Sequence, residues 1–404
     1  MVDLREVVIV DYLRSPISRS RPNAPERDVL HEIQADVLLS MTIKKILSRA
    51  KFEPSEIDEV ITGCANQVKE NFLYGGRHPV FLSALPDTVA GMGVDRQCGS
   101  SMSSIHIGAM EIMTGNSDLV IAGGMEHMTR IPRGTDLTIR HEELTDTEKY
   151  PEQAKYDLKN AYSMLQTAQK LWEQNPDITR EDMDKFSINS HEKAIKARDE
   201  GFFDGEIVPV EGTLPDGTRK LIKYDQSMRG GSTMEKMASL RLVSTGINKD
   251  PQITPGNSSP LNSGAGCVVL MAKKRAEELG IQPMAKILSI AWTGVNPSIM
   301  GAGPVPASKK ALAKAGLKVD DIDFWEINEA FAIVPLYAMK ILGIPPEKVN
   351  VKGGALALGH PLGMTGMRLV GTLARILKTE NGKFGLATAC VGGGQGVATV
   401  IEKI

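Results

Sequence analysis

An internal repeat constrains the fold of this chain more than any other feature of its sequence. Residues 44–50 (KKILSRA) match residues 309–315 (KKALAKA), 265 positions further along, and at the same offset Ile57-Asp58 meets Ile322-Asp323. A gapless run of matches across a helix and the strand after it predicts two similar halves, whose equivalent loops converge on one site. The alternative is two unrelated helix–strand units of similar composition.

Short apolar strands alternate with helices along the chain. A helix is predicted over 35–49, where apolar residues recur at helical spacing. Strands are predicted over 7–10, 60–62, 118–122 and 267–271. This alternation is typical of the α/β class, and we expect a mostly parallel sheet that is covered by helices on both faces.

Length and composition set the predicted domains. A chain of 404 residues is longer than one compact core usually accommodates. Over about 127–258 the sequence is rich in charges and turn residues, with helical segments and little strand alternation, which predicts an insertion packed on the main body. We therefore expect an N-terminal domain over 1–275, which includes the insertion, and a C-terminal domain over 276–404.

Charge and cysteine content exclude several classes of protein. Lys and Arg number 47 against 49 Asp and Glu, so a net charge of -2 gives no general attraction to nucleic acid or to anionic lipid. Four cysteines are too few for a disulfide scaffold, and no apolar run approaches the ~18 residues of a membrane-spanning helix. We expect a cytoplasmic protein with reduced thiols and no nucleic-acid or membrane partner.

Two cysteines lie next to glycine-containing turns. Cys98 comes just before or within the first turn of a predicted helix, whose N-terminus favours thiolate over thiol and so makes a reactive sulfur. A buried structural cysteine is the alternative. Cys390 lies at the end of a strand before Gly392, in a turn whose glycines admit a ligand and leave N–H groups for an oxyanion.

A histidine and an asparagine are the other candidates. His360 is flanked by glycine and proline, which indicates a positioned imidazole, although a single histidine is often structural. Asn328 follows the predicted strand 324–327 and is expected to open a helix. Polar residues at such strand ends form sites in open parallel sheets, and a helix cap is the alternative role.

Other chemistries lack their motifs. His31-Glu32 and His191-Glu192 lack the second histidine of a zinc-hydrolase helix, and the chain has no CxxC pair and no Walker loop. We therefore expect no metal and no permanently bound cofactor.

Taken together, these segments resemble the thiolase family over nearly the whole chain. The matching segments, in the family's order, are 93–102, 122–126, 303–306, 328–332, 353–363 and 390–396. The resemblance implies the thiolase fold, in which duplicated halves build five αβαβα layers and the insertion is a loop domain. It also implies an acyltransferase that interconverts two acyl-CoA molecules, such as acetyl-CoA, with 3-ketoacyl-CoA and free CoA. Coenzyme A and acyl-CoA are then substrates.

The resemblance assigns a role to each candidate. Cys98 is the nucleophile that carries the acyl group as a thioester, and His360 draws its proton. Cys390 is the general base toward the α-carbon and the acid toward the CoA sulfur. Asn328 holds a water that, with His360, stabilises the enolate oxygen. The N–H groups of Cys98 and Gly392 form a second oxyanion hole.

A coenzyme A site across the insertion is implied as well. Arg229 matches the family arginine near the adenine nucleotide, with Lys220 and Lys223 as candidate phosphate partners. The residues expected beside the pantetheine arm and the acyl pocket are Ser259, Met164, Ala330 and Phe331.

Residues 256–264 differ from the common Asn-Ala-Ser-Gly pattern of the family, and three single positions depart from the family pattern as well. Lys352 stands where asparagine is usual, Ser163 where many acetoacetyl-specific members have histidine, and Gln169 where glutamate is common. None of these changes removes a catalytic group, and longer, branched or ring-derived 3-ketoacyl-CoA substrates stay open.

Two further classes are alternatives to an active thiolase. One is a thiolase-fold scaffold or CoA-binding partner in a larger complex. The other is a decarboxylating ketoacyl synthase, which would have two histidines or a His/Asn pair instead of the Cys390 loop. The family resemblance also implies a homodimer or homotetramer.

Overall fold

The computed structural model describes residues 4–132, 145–244 and 250–404. The strands in this part of the chain are β1 Val7–Arg14, β2 Ser18–Arg19, β3 Glu59–Gly63, β4 Ala90–Val94, β5 Leu119–His127, β6 Val210–Thr213, β7 Arg219–Ile222, β8 Asn262–Ala272, β9 Ala285–Gly294, β10 Phe324–Ile327, β11 Phe384–Val391 and β12 Gln395–Lys403. Its α-helices are α1 Ala35–Leu47, α2 Arg77–Leu82, α3 Ser100–Thr114, α4 Leu158–Ala161, α5 Met164–Glu173, α6 Arg180–Asp199, α7 Met234–Ala238, α8 Lys273–Glu278, α9 Pro304–Ala315, α10 Ile333–Leu342, α11 Ala355–Leu358 and α12 Thr365–Thr379.

The main sheet is mixed, with strand order β10-β11-β12-β9-β1-β8-β5-β3-β4 and β2 beside β8. β3 is parallel to β4 and β5, and β10 is parallel to β11. The other pairings in this sheet are antiparallel, including the one between β1 and β9 that joins the two halves. The expectation of a mostly parallel sheet is wrong. Strands buried on both faces are apolar throughout whichever way their neighbours run, so the pattern cannot report direction.

The layers follow the predicted order α–β–α–β–α. Helices α3 and α12 form the middle layer, where Ile105 and Leu373 share one apolar core with strands of both halves. On the outer face of the N-terminal half, α1 buries Ile43 against β5 and β8. On the outer face of the C-terminal half, α9 and α10 bury Leu312 and Met339 against β11 and β12. The two similar halves predicted from the repeat and the five layers implied by the family resemblance are therefore present.

The repeat is also visible in individual hydrogen bonds. Oδ2 of Asp58 accepts the backbone N–H groups of residues 118–119 at 2.7 and 3.0 Å. Oδ2 of Asp323 accepts those of residues 383–384 at the same two distances. All three positions are 265 apart, as are both ends of α3 and α12. The two halves thus share a framework down to single side chains.

The insertion holds helices α4 to α7 and the antiparallel hairpin β6–β7, which the sequence pattern did not predict. Arg14 of β1 anchors it: Nε donates to Glu206 at 2.7 Å, and the two terminal nitrogens donate to Asp225 at 2.7 and 2.9 Å. All three side chains are buried. Residues 133–144 and 245–249 of the predicted insertion lie outside the described residues.

Candidate active site

Cys98 lies in a tight turn between β4 and α3. The turn is a 3-10 segment, Gln97–Gly99, and α3 begins at Ser100, so the cysteine adjoins the helix N-terminus as predicted. The turn presses against β11, because a Cβ atom on Gly99 would lie 2.8 Å from Cγ2 of Val391. Only a glycine permits this approach. Cys98 is buried in this place, with 4% of its surface exposed.

Cys390 lies at the end of β11, one residue before the strand stops. Its side chain has no exposed surface. Burial raises the pKa of the Cys390 thiol far above its ordinary value, and the nearby Cys98 raises it further. The two sulfurs are therefore electrostatic neighbours, and Cys390 holds its proton at neutral pH. Gly392 is buried in the turn that follows.

The imidazole of His360 is held from both sides. Thr365 donates its hydroxyl proton to the carbonyl of Pro361 at 2.8 Å, so its oxygen accepts the Nδ1–H of His360 at 2.7 Å. This network assigns the proton to Nδ1 and leaves the lone pair on Nε2. The side-chain amide of Asn328 donates to that Nε2 atom at 3.3 Å.

Asn328 follows β10 and points into the same region. Its backbone N–H donates to the carbonyl of Thr388, two residues before Cys390 on β11, at 2.9 Å. The expectation that Asn328 opens or caps a helix is wrong, because α10 begins at Ile333 and its cap is Ala332. The buried Oδ1 atom of Asn328 has no hydrogen-bond partner among the described residues. A buried amide oxygen of this kind is suited to a water or a substrate group.

The four candidates thus lie in one buried region. His360 bonds Asn328, Asn328 bonds the strand of Cys390, and Cys390 neighbours Cys98. Cys98 then shares an apolar cluster with Leu362, two residues after His360. The structure therefore brings together the two thiols, the imidazole and the amide that the sequence indicated.

Arg229 lies in a cavity of about 200 Å³ at the edge of the insertion. The other cationic lysine and arginine side chains on its walls are Arg19 and Lys236. Burial, followed by the charges of Arg229, Arg21 and Arg27, lowers the pKa of Arg19 to about 10. Neighbouring positive charges of this kind attract anions.

Lys220 and Lys223 do not line this cavity and lie on or beside the β6–β7 hairpin. Arg19 was not predicted to lie in this cavity, because it is 210 positions away from Arg229 and no motif surrounds it in the sequence.

Three of the residues predicted beside the acyl group lie in or against the apolar cluster that contains Cys390. Met164, Ala330 and Phe331 belong to one apolar cluster with Cys390. The backbone N–H of Ser259 donates to the carbonyl of Ala330 at 3.0 Å. These four predicted residues therefore connect the edge of the insertion to the thiols.

The three departures from the family pattern have structural partners. Lys352 pairs with Glu380 at 2.6 Å. Ser163 caps α5 by accepting from the N–H of Gln166 at 3.5 Å. The Gln169 side chain donates to the carbonyl of Asp250 at 2.9 Å and accepts from Ser244 and from the N–H of Gln252. Each of the three side chains thus takes part in holding the surrounding chain together.

Glu126 is a buried acid next to this site. It lies in the matching segment 122–126, and no role was predicted for it. Its Oε2 accepts the N–H of Ala65 at 2.9 Å and the N–H of Gly363, in the His360 turn, at 3.0 Å. Burial raises the pKa of Glu126 to about 7, and those two N–H groups oppose the rise. A single acid inside an apolar strand was the signal that could have revealed it.

Comparison with known proteins agrees with this geometry. Residues 7–274 match the family described as thiolase, N-terminal domain, and residues 281–403 match thiolase, C-terminal domain. The chain is 43% identical to a 3-ketoacyl-CoA thiolase of Marinobacter nauticus and 41% identical to one of Hahella chejuensis, with 99% of each chain covered.

Solved structures give the same answer. The human mitochondrial 3-ketoacyl-CoA thiolase in complex with CoA superposes with a TM-score of 0.86 at 33% identity, covering 100% of this chain and 99% of that one. The Bacillus anthracis acetyl-CoA acetyltransferase gives 0.85 at 35% identity with both chains covered in full.

The chain belongs to the thiolase family, and it is an acyltransferase. The predicted family and fold are confirmed. None of the helices in the described ranges has both the length and the apolar character needed to cross a bilayer.

Proposed function

We propose that this chain cleaves 3-ketoacyl-CoA with CoA, and runs the reverse condensation, through an acyl-Cys98 intermediate. One observation carries the proposal: Cys98, Cys390, His360 and Asn328 come from segments far apart in sequence and lie in one buried region. The names of the relatives, 3-ketoacyl-CoA thiolase, support the choice of substrate.

In the first step His360 takes the proton of Cys98. Nε2 is the atom that can accept it, because Nδ1 is committed to Thr365. The sulfur then attacks the 3-keto carbon, and the bond between C2 and C3 breaks. The electron pair leaves on C2 as the enolate of acetyl-CoA, and the thiol of Cys390 supplies its proton. The high pKa of this buried thiol keeps that proton in place until the carbanion forms.

In the second step the Cys390 thiolate takes the proton of incoming CoA. The CoA sulfur attacks the acyl-Cys98 thioester and releases acyl-CoA, and Cys98 departs as a thiolate that recovers its proton from His360. Both thiols and the imidazole return to their starting states.

Two anion sites follow from the same groups. A water held by Asn328, together with His360, stabilises the enolate oxygen, and the N–H groups of Cys98 and Gly392 receive the oxyanion at the acyl carbon. Loss of one such donor costs ~3 kcal/mol, about a hundredfold in rate. The nucleotide of CoA lies in the cavity of Arg229 and Arg19, and its pantetheine arm runs past Ser259 toward Phe331.

The exposed edge of the sheet supports a homodimer. β4 ends the strand order, and among the described residues no strand pairs with its outer edge, whereas β10 at the other end is bridged by Val349. The segment before β4 exposes Phe72, Tyr74 and Phe81. Unpaired edges next to apolar side chains are suited to a second copy.

The test is a series of 3-ketoacyl-CoA substrates of increasing chain length, beginning with acetoacetyl-CoA, each assayed with CoA. We expect cleavage, and kcat/KM across the series reports the acyl pocket. A folded protein that cleaves none of them would contradict the proposal. Alkylation of Cys98 by iodoacetamide that acyl-CoA blocks, without turnover, would support the CoA-binding scaffold instead.

A further inference from the structure

Asn262, the first residue of β8, is fully buried and makes three polar contacts. Its Oδ1 atom accepts the backbone N–H of His360 at 2.8 Å. Its Nδ2 atom donates to the carbonyl of Ser18 at 2.8 Å and to the hydroxyl of Ser227 at 3.2 Å. The amide therefore uses both of its protons and its oxygen, and joins three segments that are far apart in sequence.

The contact with His360 fixes the backbone at the start of the turn that carries the imidazole, called the catalytic turn below. Gly359 has φ of 117°, a conformation that L side chains rarely adopt, and a Cβ atom there would lie 2.7 Å from Cγ of Asn262. The backbone before His360 is thus fitted against the Asn262 side chain. Thr365 fixes the ring from the other side. Without Asn262, the backbone N–H of His360 loses the hydrogen bond that fixes its position.

The other two contacts lead to the cavity at the edge of the insertion. Ser18 precedes Arg19, and Ser227 comes two residues before Arg229. Both arginines line that cavity, as does Ser227 itself. In addition, Arg19 of β2 pairs directly with Asn262 in the sheet. One buried amide therefore touches both cation-bearing segments and the catalytic turn.

We propose that Asn262 is a positioning residue, which aligns His360 with Cys98 and holds the segments of Arg19 and Arg229 in register with that alignment. The inference rests on the proposed function, since it takes the cavity to bind the nucleotide of CoA. Binding of the nucleotide, a remote part of the substrate, then also helps to hold His360 in its reactive position, because the Asn262 amide contacts both regions.

The first variant is Asn262→Ala, with Asn175→Ala as the matched control. Asn175 is also a buried asparagine, and its amide donates to the carbonyl of Leu171 in α5. We expect Asn262→Ala to lower kcat by about tenfold to a hundredfold, because it leaves a buried N–H of the catalytic turn unpaired. The pH midpoint of Cys98 alkylation by iodoacetamide should rise, because a displaced His360 assists the thiolate less. Asn175→Ala should leave that midpoint unchanged.

The second variant, Ser227→Ala, removes only the hydroxyl that accepts from Nδ2 of Asn262 and keeps the other two contacts of that amide. We expect a higher KM for acetoacetyl-CoA with kcat within about twofold of the wild type. The KM for acetoacetyl-pantetheine, which lacks the nucleotide, should not change. A fall in kcat equal to that of Asn262→Ala, or no change in either KM, would overturn the division of roles.

Unchanged kcat and an unchanged alkylation profile in Asn262→Ala would also overturn the proposal. If Asn262→Ala does not fold, the Ser227→Ala comparison decides alone. Should the wild type cleave no 3-ketoacyl-CoA, the proposed function fails. The alkylation profile and the affinity for CoA, measured by calorimetry, then still test the role of Asn262.

Discussion

The N-terminal and C-terminal halves of the sheet share their framework and differ in what their loops carry. Helix α3 begins two residues after Cys98, and the equivalent helix α12 begins five residues after His360. In the repeat register, Cys98 corresponds to Gly363 and Asn328 corresponds to Gly63. Each half therefore places a glycine where the other places a chemical group.

This difference allows the two similar halves to contribute different chemical groups to one site. In the proposed mechanism, the N-terminal half supplies the nucleophile, at a helix N-terminus that favours negative charge. The C-terminal half supplies His360, Cys390 and Asn328, which are proposed to transfer protons and to stabilise the enolate. Glu126 of the first half bonds Gly363 of the second, so the two sets of groups are tied together.

The largest expected effect comes from removing the proposed nucleophile of the N-terminal half. Cys98→Ala should lower the rate of thiolysis by at least about a thousandfold, since no other group can carry the acyl chain. Cys267→Ala is the matched control, because Cys267 is also buried in this half but packs beside Thr42 and α1. Steady-state assays should show it close to the wild type. Equal loss in both variants would assign the effect to packing.

The second prediction concerns the acid that joins the halves. The pKa of Glu126 is raised from 4.5 to about 7 by burial, so the native state keeps a proton that the unfolded chain has lost between these values. Native stability therefore falls as pH rises through this window.

Glu126→Gln has no such loss, so its stability relative to the wild type should rise by up to about 3 kcal/mol between pH 4.5 and 7.5. Urea unfolding of both proteins across that range measures the difference. Two parallel stability curves would show that the carboxyl does not titrate there.

The smallest effect tests the shared framework itself. Asp58→Ala and Asp323→Ala each remove two hydrogen bonds of identical geometry. Each should cost about 1–2 kcal/mol of unfolding free energy and leave kcat unchanged. Chemical denaturation should place the two losses within about 0.5 kcal/mol of each other. If only one of the two variants lost unfolding free energy, the two halves would share their geometry but not the stability that these hydrogen bonds contribute.

The sequence predicted those parts of the molecule that depend on local pattern. Cys98, Cys390, His360 and Asn328 each stand at a strand end or in a glycine-framed turn, and the structure brings all four together. The repeat predicted two similar halves because its register spans a helix and the following strand, and the family resemblance implied the layers.

The parts that the sequence did not predict depend on contacts between distant segments. Strand direction leaves no trace in buried apolar runs, so the antiparallel junction of β1 and β9 was missed. Asn262 and Arg19 show their roles only when β2 lies beside β8. Asn328 was expected to open a helix because its side chain suits a cap, but its amide bonds His360 instead.

The most direct test of the central claim is to trap the acyl group on Cys98. Cys390→Ala should still accept some acyl group from acyl-CoA, because the attack itself needs only Cys98 and His360 and CoA can leave more slowly as a thiolate, but it should not complete the condensation. Mass spectrometry of the digested variant after incubation with acetyl-CoA should find one acetyl group, on the peptide that contains Cys98. An unmodified Cys98, or an acetyl group on another residue, would contradict the account.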